Sequence, residues 1–281
     1  MRLAIFAKTF PGTTPGPVLA AVAAAGFGAA QYNMACSGLP SMPDVVSEAA
    51  ADAVAAASEV ASVAVVALSG TYNMIHPDLA ERERGHRRLA VLAGAARRMG
   101  TRIITLCTGT RNPADQWRGH PDNGMPEAWR DLRAAMDEAL RVAEHHDIDL
   151  GIEPELANVV DSAVKARRLI DEVGSPRLKI VFDAANLFEA EPLDRQRDIV
   201  AAAIDLLGDR IAMAHAKDRT ASGGFSAAGQ GVLDYPHYLR RLARAGFDGP
   251  LVTHGLTAAE APGVAAFLKA AFGRIADAPT R

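Results

Sequence analysis

Cysteine is scarce: the 281-residue chain has two, Cys36 and Cys107. Two unclustered thiols, each near the end of an expected strand, make neither a disulfide framework nor a zinc knuckle, so both read as reduced core residues. Basic excess is absent as well. Thirty Lys and Arg against 33 Asp and Glu give a net charge of −3, which leaves no surplus to neutralise a phosphate backbone or an anionic lipid surface. The N-terminus, Met1 to Lys8, carries an apolar stretch of five residues before its lysine, too short for a signal sequence or a membrane span; a cytoplasmic location is the expectation. No expected strand is followed by a G-x-G-x-x-G or G-x-x-x-x-G-K-[ST] turn, which weakens an open, doubly wound nucleotide-binding sheet. There is no low-complexity tract, charge block or composition break to divide the chain. What remains is a composition 49% hydrophobic and 22% charged, enough apolar side chain for one large core.

Short apolar runs alternate with longer alanine-rich stretches of helical period, the pattern of βα units on a parallel sheet. Eight such pairs are counted, with strands beginning near Leu3, Ala29, Ser62, Arg102, Asp149, Leu178, Ile211 and Leu251. At about 35 residues per unit, this is the length of an α/β (β/α)8 TIM barrel. A single barrel domain is expected over residues 1–275, with a short polar tail over 276–281. From Glu127 to His146 the residues Trp129, Leu132, Ala135, Met136, Leu140 and Val142 to Ala143 form one apolar stripe. A second helix is expected from Asn158 onward, carrying Val160, Ala163, Val164, Ala166, Leu169 and Ile170 and stopped by Gly174 and Pro176.

In a barrel the C-terminal ends of the strands converge on one pocket, so polar residues there are informative. Strand five ends in Ile152-Glu153-Pro154-Glu155, strand six in Phe182-Asp183, strand seven in Ala214-His215-Ala216-Lys217-Asp218, and strand eight in Thr253-His254. Separations of 30, 32 and 39 residues are close to one βα unit each. A lone carboxylate at a strand end is more often a helix cap or an ion-pair partner, and a lone histidine is usually a hydrogen-bonded rim residue. Four at unit spacing form a mixed oxygen and nitrogen set suited to one divalent ion such as Mn²⁺, Co²⁺, Zn²⁺ or Mg²⁺.

The segments Gly151-Ile-Glu-Pro-Glu155, Val181-Phe-Asp-Ala-Ala-Asn-Leu187, His215-Ala-Lys-Asp218, Gly229-Gln-Gly-Val-Leu-Asp234 and Gly246-Phe-Asp-Gly-Pro-Leu251 resemble, in this order, the sugar phosphate isomerase/epimerase family. That family has the xylose isomerase-like TIM barrel, and it includes ketose 3-epimerases, hydroxypyruvate isomerase, inosose dehydratase and, more distantly, endonucleases of DNA repair. The resemblance implies a divalent metal held by Glu, Asp, His and a second Glu, which map to Glu153, Asp183, His215 and the position of His254. Here the chain departs from the ketose epimerases, whose last strand supplies a glutamate. A second departure is Asn186, where those epimerases often have His.

A divalent ion polarises a carbonyl, and a base must then take the adjacent proton. Glu153 and Glu155 are candidates, since residues i and i+2 of a strand share a side; the plainer reading of Glu155 is a surface ion pair. His254 is either a fourth ligand or a free base, not both. Lys8, Asn33, Tyr72 and Asn73 occupy rim positions. The stretch from Gly109 to Pro126, with Arg111, Trp117, His120, Asp122 and Asn123, reads as a lid over a hydrophilic ligand, although Trp117 serves equally as a packing anchor. Asn186 joins the expected substrate contacts; Lys217 and Arg219 could hold an anionic group. Asp218 is expected to orient a ligand histidine.

The reading is a metal-dependent sugar isomerase or epimerase of carbohydrate metabolism, with catalytic residues among Glu153, Glu155 and His254. An inosose-type dehydratase on the same metal site and a non-catalytic sugar-binding barrel are the alternatives. The DNA-repair type is disfavoured by eight histidines and the negative net charge. Expected partners are a small-molecule sugar and at most copies of the same chain, with no nucleic acid and no membrane.

Overall fold

A computed structural model describes residues 1–276 of the chain. Its strands are short and built from Ala, Val, Ile and Leu: β1 (Arg2–Phe6), β2 (Ala29–Tyr32), β3 (Ala64–Ser69), β4 (Ile103–Cys107), β5 (Asp149–Glu153), β6 (Leu178–Asp183), β7 (Ile211–Arg219), β8 (Phe225–Ala227) and β9 (Pro250–Thr253). The order β6-β5-β4-β3-β2-β1-β9-β7 is closed by pairing of β6 with β7, so eight parallel strands form the TIM barrel that the sequence pattern predicts. β8 stands outside the ring. It turns back antiparallel on the long end of β7, pairing Arg219 with Phe225 and Lys217 with Ala227.

Helices α1 (Pro15–Ala24), α2 (Glu48–Ala61), α3 (Leu79–Ala96), α4 (Pro126–His146), α5 (Ala163–Val173), α6 (Leu193–Leu207), α7 (Tyr235–Arg244) and α8 (Ala261–Ala276) surround the strands. On α4 the predicted stripe is the buried one, with Leu132, Ala135, Met136, Leu140 and Ala143 in the core. Trp129 lies at its edge, where its indole Nε1 donates to Glu172 at 2.9 Å. None of the described helices is long and apolar enough to cross a membrane.

Two boundaries differ from the sequence reading. The third strand begins at Ala64 because Ser62 is still the C-cap of α2, in the left-handed region at φ 54°. The fifth helix begins at Ala163, not Asn158: Val159 and Val160 are drawn into the strand-four loop by bonds to Gly109 O at 3.0 Å and from the Val160 amide to Thr108 Oγ1 at 3.1 Å. Ser162 then caps the helix through Lys165 N, and Gly174, at φ 69°, ends it as expected. The expected tail lies outside the described residues, apart from Ala276 at the end of α8.

The barrel interior is plugged by small and branched residues, Ala4, Ala29, Ala67, Val181, Met213 and Val252, with Phe6 and Ile103 packed on them. Strand side chains alternate, so the residues two positions beyond these share the same inward side. That simple count places the site.

Candidate active site

Counting two residues up from the plug gives Gln31, Ser69, Thr105, Asp183, His215 and His254, with Phe6 from β1, and the same step on β5 leads from Gly151, whose position faces Val181 of the plug, to Glu153. All but Asp183 line one cavity of about 800 Å³, and Asp183 is buried directly beneath it. Register fixes the neighbours: Asp183 stands opposite His215 across β6 and β7. A parallel pair in register directs both side chains to the same side, so the cluster follows from the sheet and not from a loop.

Glu153, Asp183, His215 and His254 each offer one ligand atom, all within 4.8 Å of one another. Nδ1 of His215 lies 3.1 Å from Glu153 Oε1 and 3.7 Å from Asp183 Oδ2. His254 reaches the same Asp183 oxygen with Nε2 at 3.3 Å, and the two imidazole rings are 4.4 Å apart. Four donors bound tetrahedrally at 2.0–2.2 Å would stand about 3.3–3.6 Å from each other. The spacing and the two-oxygen, two-nitrogen chemistry therefore fit a divalent ion. Burial acts to raise the Asp183 carboxyl, yet the Lys217 charge and hydrogen bonds from His215 and His254 hold it well below the usual range. Burial likewise opposes charge on His215, but Glu153 and Asp183 carry its pKa up to about 9. His254 is pushed down by burial and by the neighbouring His215.

Behind His215 stands Gln31, a residue that the sequence reading passed over. Its amide nitrogen donates to Thr105 Oγ1 at 3.1 Å, which turns its carbonyl oxygen toward His215 Nε2 at 3.3 Å. A proton on Nε2 then leaves the Nδ1 lone pair aimed at Glu153 and Asp183. The available signal was a glutamine inside the short, otherwise apolar Ala29-Ala30-Gln31-Tyr32 strand.

A second tier rises two or three residues above. Glu155 lines the cavity, and burial together with the Glu153 charge raises its carboxyl to about 8; it is not the surface ion pair that the plainer reading allows. Asn186 donates to Glu153 Oε1 at 2.7 Å and accepts from Lys217 Nζ at 2.8 Å. Lys217 also lies 3.0 Å from Asp183 Oδ2. Arg219 donates from Nε to Ala185 O at 2.6 Å and from Nη1 to Gly223 O. Phe225, also unforeseen, sits with its ring centroid 3.9 Å from the Lys217 ammonium and 4.2 Å from the Arg219 guanidinium carbon. Lys8, Asn33 and Trp117 line the cavity too, with Asn33 Oδ1 already accepting from Ala35 N and Ser41 Oγ.

Other expected contacts are elsewhere. Asp218 touches no histidine: its buried carboxylate accepts the amides of Arg219, Gly229, Gly231 and Leu233 at 2.8–3.1 Å. The physical reason is alternation, which turns Asp218 away from the side shared by His215 and Lys217. It anchors the loop that leads to α7, and a Cβ on Gly231 would meet its Oδ1 at 2.3 Å. His120 is off the cavity lining; its ring caps a short turn by accepting from Asp122 N at 3.2 Å. Tyr72 is spent on His86. Asn73 donates to Thr110 O and accepts from Thr110 N, while Arg111 pairs with Asp131 at 2.6 Å and Asn123 accepts from Arg111 N. Most of the expected lid is thus stapled to the barrel, and only Gln116, Trp117 and Gly119 of it reach the cavity.

A family model described as a xylose isomerase-like TIM barrel matches residues 19–270. Among solved structures the chain is similar to a xylose isomerase domain protein from Planctomyces limnophilus, at 19% identity and TM-score 0.73, over 98% of this chain and 97% of that one. It is similar to the apo form of 3-keto-D-glucoside 4-epimerase from E. coli, at 16% identity and TM-score 0.74, over 96% and 99%. A third is IOLI protein with a binding zinc atom, at 16% identity and TM-score 0.72, over 98% of each chain. Identities this low speak for the fold alone. No curated protein sequence matches the chain.

Proposed function

The chain belongs to the xylose isomerase-like TIM barrel family, and from that premise we propose that it is a divalent-metal-dependent isomerase or epimerase of a sugar or polyol derivative, moving a proton next to a carbonyl. One observation carries this reading: two carboxylates and two imidazoles converge within 4.8 Å at the floor of a polar cavity. One of the similar structures is described with zinc and another as a sugar epimerase, which supports it. A divalent ion held by Glu153, Asp183, His215 and His254 supplies the polarisation of the carbonyl. Everything else falls to the chain's own side chains.

Glu155 stands on the same side as Glu153 one tier higher, outside the ligand set and facing the cavity, and is the group that moves the proton. Asn186 and Lys217 link the two ligand carboxylates, holding Glu153 and Asp183 in place. Uncharged donors and acceptors, Gln31, Asn33, Ser41, Ser69, Thr71 and Thr105, line the same space and suit sugar hydroxyls. One observation favours dehydration of the inosose type as a second reading. The last strand brings His254 and not a carboxylate, so proton transfer rests on Glu155, and a same-face elimination can use one group, first as base for the proton beside the carbonyl and then as acid to the departing β-hydroxyl, where two-sided epimerisation needs two groups.

Metal-loaded protein incubated in D₂O with ketoses and inososes tests the proposal. Deuterium should enter at the carbon beside the carbonyl, or an enone should form, and Glu155→Gln should lower the rate by about 10²-fold or more with metal content unchanged. No exchange and no elimination with any of them, despite binding, would leave a sugar-binding barrel.

A further inference from the structure

Two-sided proton transfer needs a group on each face of the substrate, and the strand order says where a partner for Glu155 has to stand. In the closed ring β6-β5-β4-β3-β2-β1-β9-β7, β1 is four strands from β5 in either direction, so these two strands oppose each other across the pocket. Glu155 lies two residues beyond the last residue of β5. Lys8 lies two beyond the last residue of β1, in the short turn Ala7–Thr9. Glu155 and Lys8 line the same cavity. The ligand set comes from one arc of the ring, β5, β6, β7 and the end of β9. Glu155 rises at one end of that arc, and Lys8 stands one strand past the other end, so a molecule reaching the ligand tier has Glu155 on one side and Lys8 on the other.

Elimination among the lining residues leads to the same lysine. Among the described residues the lining holds neither Tyr nor Cys, which leaves carboxylates, imidazoles and amines as groups able to exchange a proton. Glu153, His215 and His254 belong to the ligand set. Lys217 is committed to Asp183 at 3.0 Å and to Asn186 at 2.8 Å, and a guanidinium such as that of Arg219 does not give up its proton. Glu189 follows β6, the neighbour of β5, and so shares the Glu155 half of the ring. Lys8 remains, an exposed ammonium with no ion-pair or hydrogen-bond partner for its side chain among the described residues.

Resting on the reading above, we propose that Lys8 is the second catalytic acid–base group, so that Glu155 and Lys8 act on opposite faces of one carbon and the reaction is an epimerisation and not a dehydration. In one direction the Glu155 carboxylate removes the proton beside the carbonyl, and the C–H electron pair becomes the double bond of an enediolate. The carbonyl re-forms as the Lys8 Nζ–H bond breaks and its proton makes the new C–H bond on the other face. Glu155 is left protonated and Lys8 neutral. Water takes the proton from the first and returns one to the second, so no other reactant is consumed. The reverse direction exchanges the two roles.

The test follows epimer and recovered substrate separately, by NMR and mass spectrometry, for metal-loaded protein in D₂O with ketoses and inososes. The parent should form an epimer that carries solvent deuterium. Lys8→Met should form it about 10²-fold or more slowly, with metal content unchanged, yet still admit deuterium into one epimer of the pair, the one whose hydrogen faces Glu155. Lys8→Arg keeps the charge but no proton that it can release, and should behave like Lys8→Met. Epimer formed at the parent rate by either variant, or deuterium entry lost from both epimers in Lys8→Met, would overturn the role of Lys8. A parent that exchanges deuterium but yields only an enone or an aldose would overturn it too, with the metal-dependent proton transfer left standing. A parent silent in both exchange and elimination defeats the underlying reading and the role of Lys8 with it.

Discussion

Replacing Gln31 by leucine takes one acceptor out of the barrel floor and changes little volume. In the native protein the Gln31 carbonyl faces His215 Nε2 at 3.3 Å because Thr105 holds the amide in that orientation. Without it, the buried Nε2–H is unpaired at a cost of about 1–3 kcal/mol, and the proton moves to Nδ1, where Glu153 accepts it at 3.1 Å. That tautomer presents no lone pair to an ion between Glu153 and Asp183. Loss of a group that orients a ligand histidine costs about 10- to 100-fold in metal affinity, or about 1.4–2.7 kcal/mol. Competition with a chromophoric chelator measures the change, and thermal unfolding of the metal-free proteins checks that the fold persists. Gln31→Glu, which keeps an acceptor, should retain tight binding. An unchanged dissociation constant in Gln31→Leu would refute the argument that Gln31 sets the His215 tautomer.

Asp218→Ala should lower the denaturation midpoint, since each buried amide stranded on the 229–233 loop costs about 1–3 kcal/mol, and should leave metal stoichiometry intact; an unaltered midpoint would contradict the anchoring role. His254→Gln should weaken metal binding by about 10- to 100-fold, with activity returning at high metal, whereas full occupancy at limiting metal and no catalysis would make His254 a base. Hydrogen bonds from Trp129 and Arg168, joined by Arg133, bring the Glu172 carboxyl down to about 2. A pKa depressed by folding stabilises above the unfolded value of about 4.3 and loses that contribution as pH falls toward 2, so urea melts of Glu172→Gln should show a flatter acid limb over this range than the parent protein.

The fold was legible because the two periods, two residues in strands and 3.6 in helices, alternate without interruption, and misreadings arose where a side chain or a cap overrode the local pattern. Ser62 looks like the start of a strand but sits in a left-handed cap. Val160 fits a helical stripe, but bonds from Val159 and Val160 to Gly109 and Thr108 claim its neighbourhood. At the site, strand-end position alone brought together Glu153, Asp183, His215 and His254. Gln31 and Thr105 lie within strands and not at conspicuous polar ends, and recognising them requires knowing which side of each strand faces the barrel interior. Asp218 failed for the same reason, being one residue out of phase with His215. Phe225 is on a hairpin whose return over β7 no local periodicity announces.

The metal is the centre of this account, and its content in the parent protein against Asp183→Ala is the most direct test. After reconstitution with Mn²⁺, Co²⁺ or Zn²⁺ and extensive dialysis, elemental analysis should find about one ion per chain in the parent and almost none in the variant, since a site of this kind is lost with a ligand to which the others are organised. A parent protein that retains no ion, or an Asp183→Ala variant that retains it in full, would contradict the account.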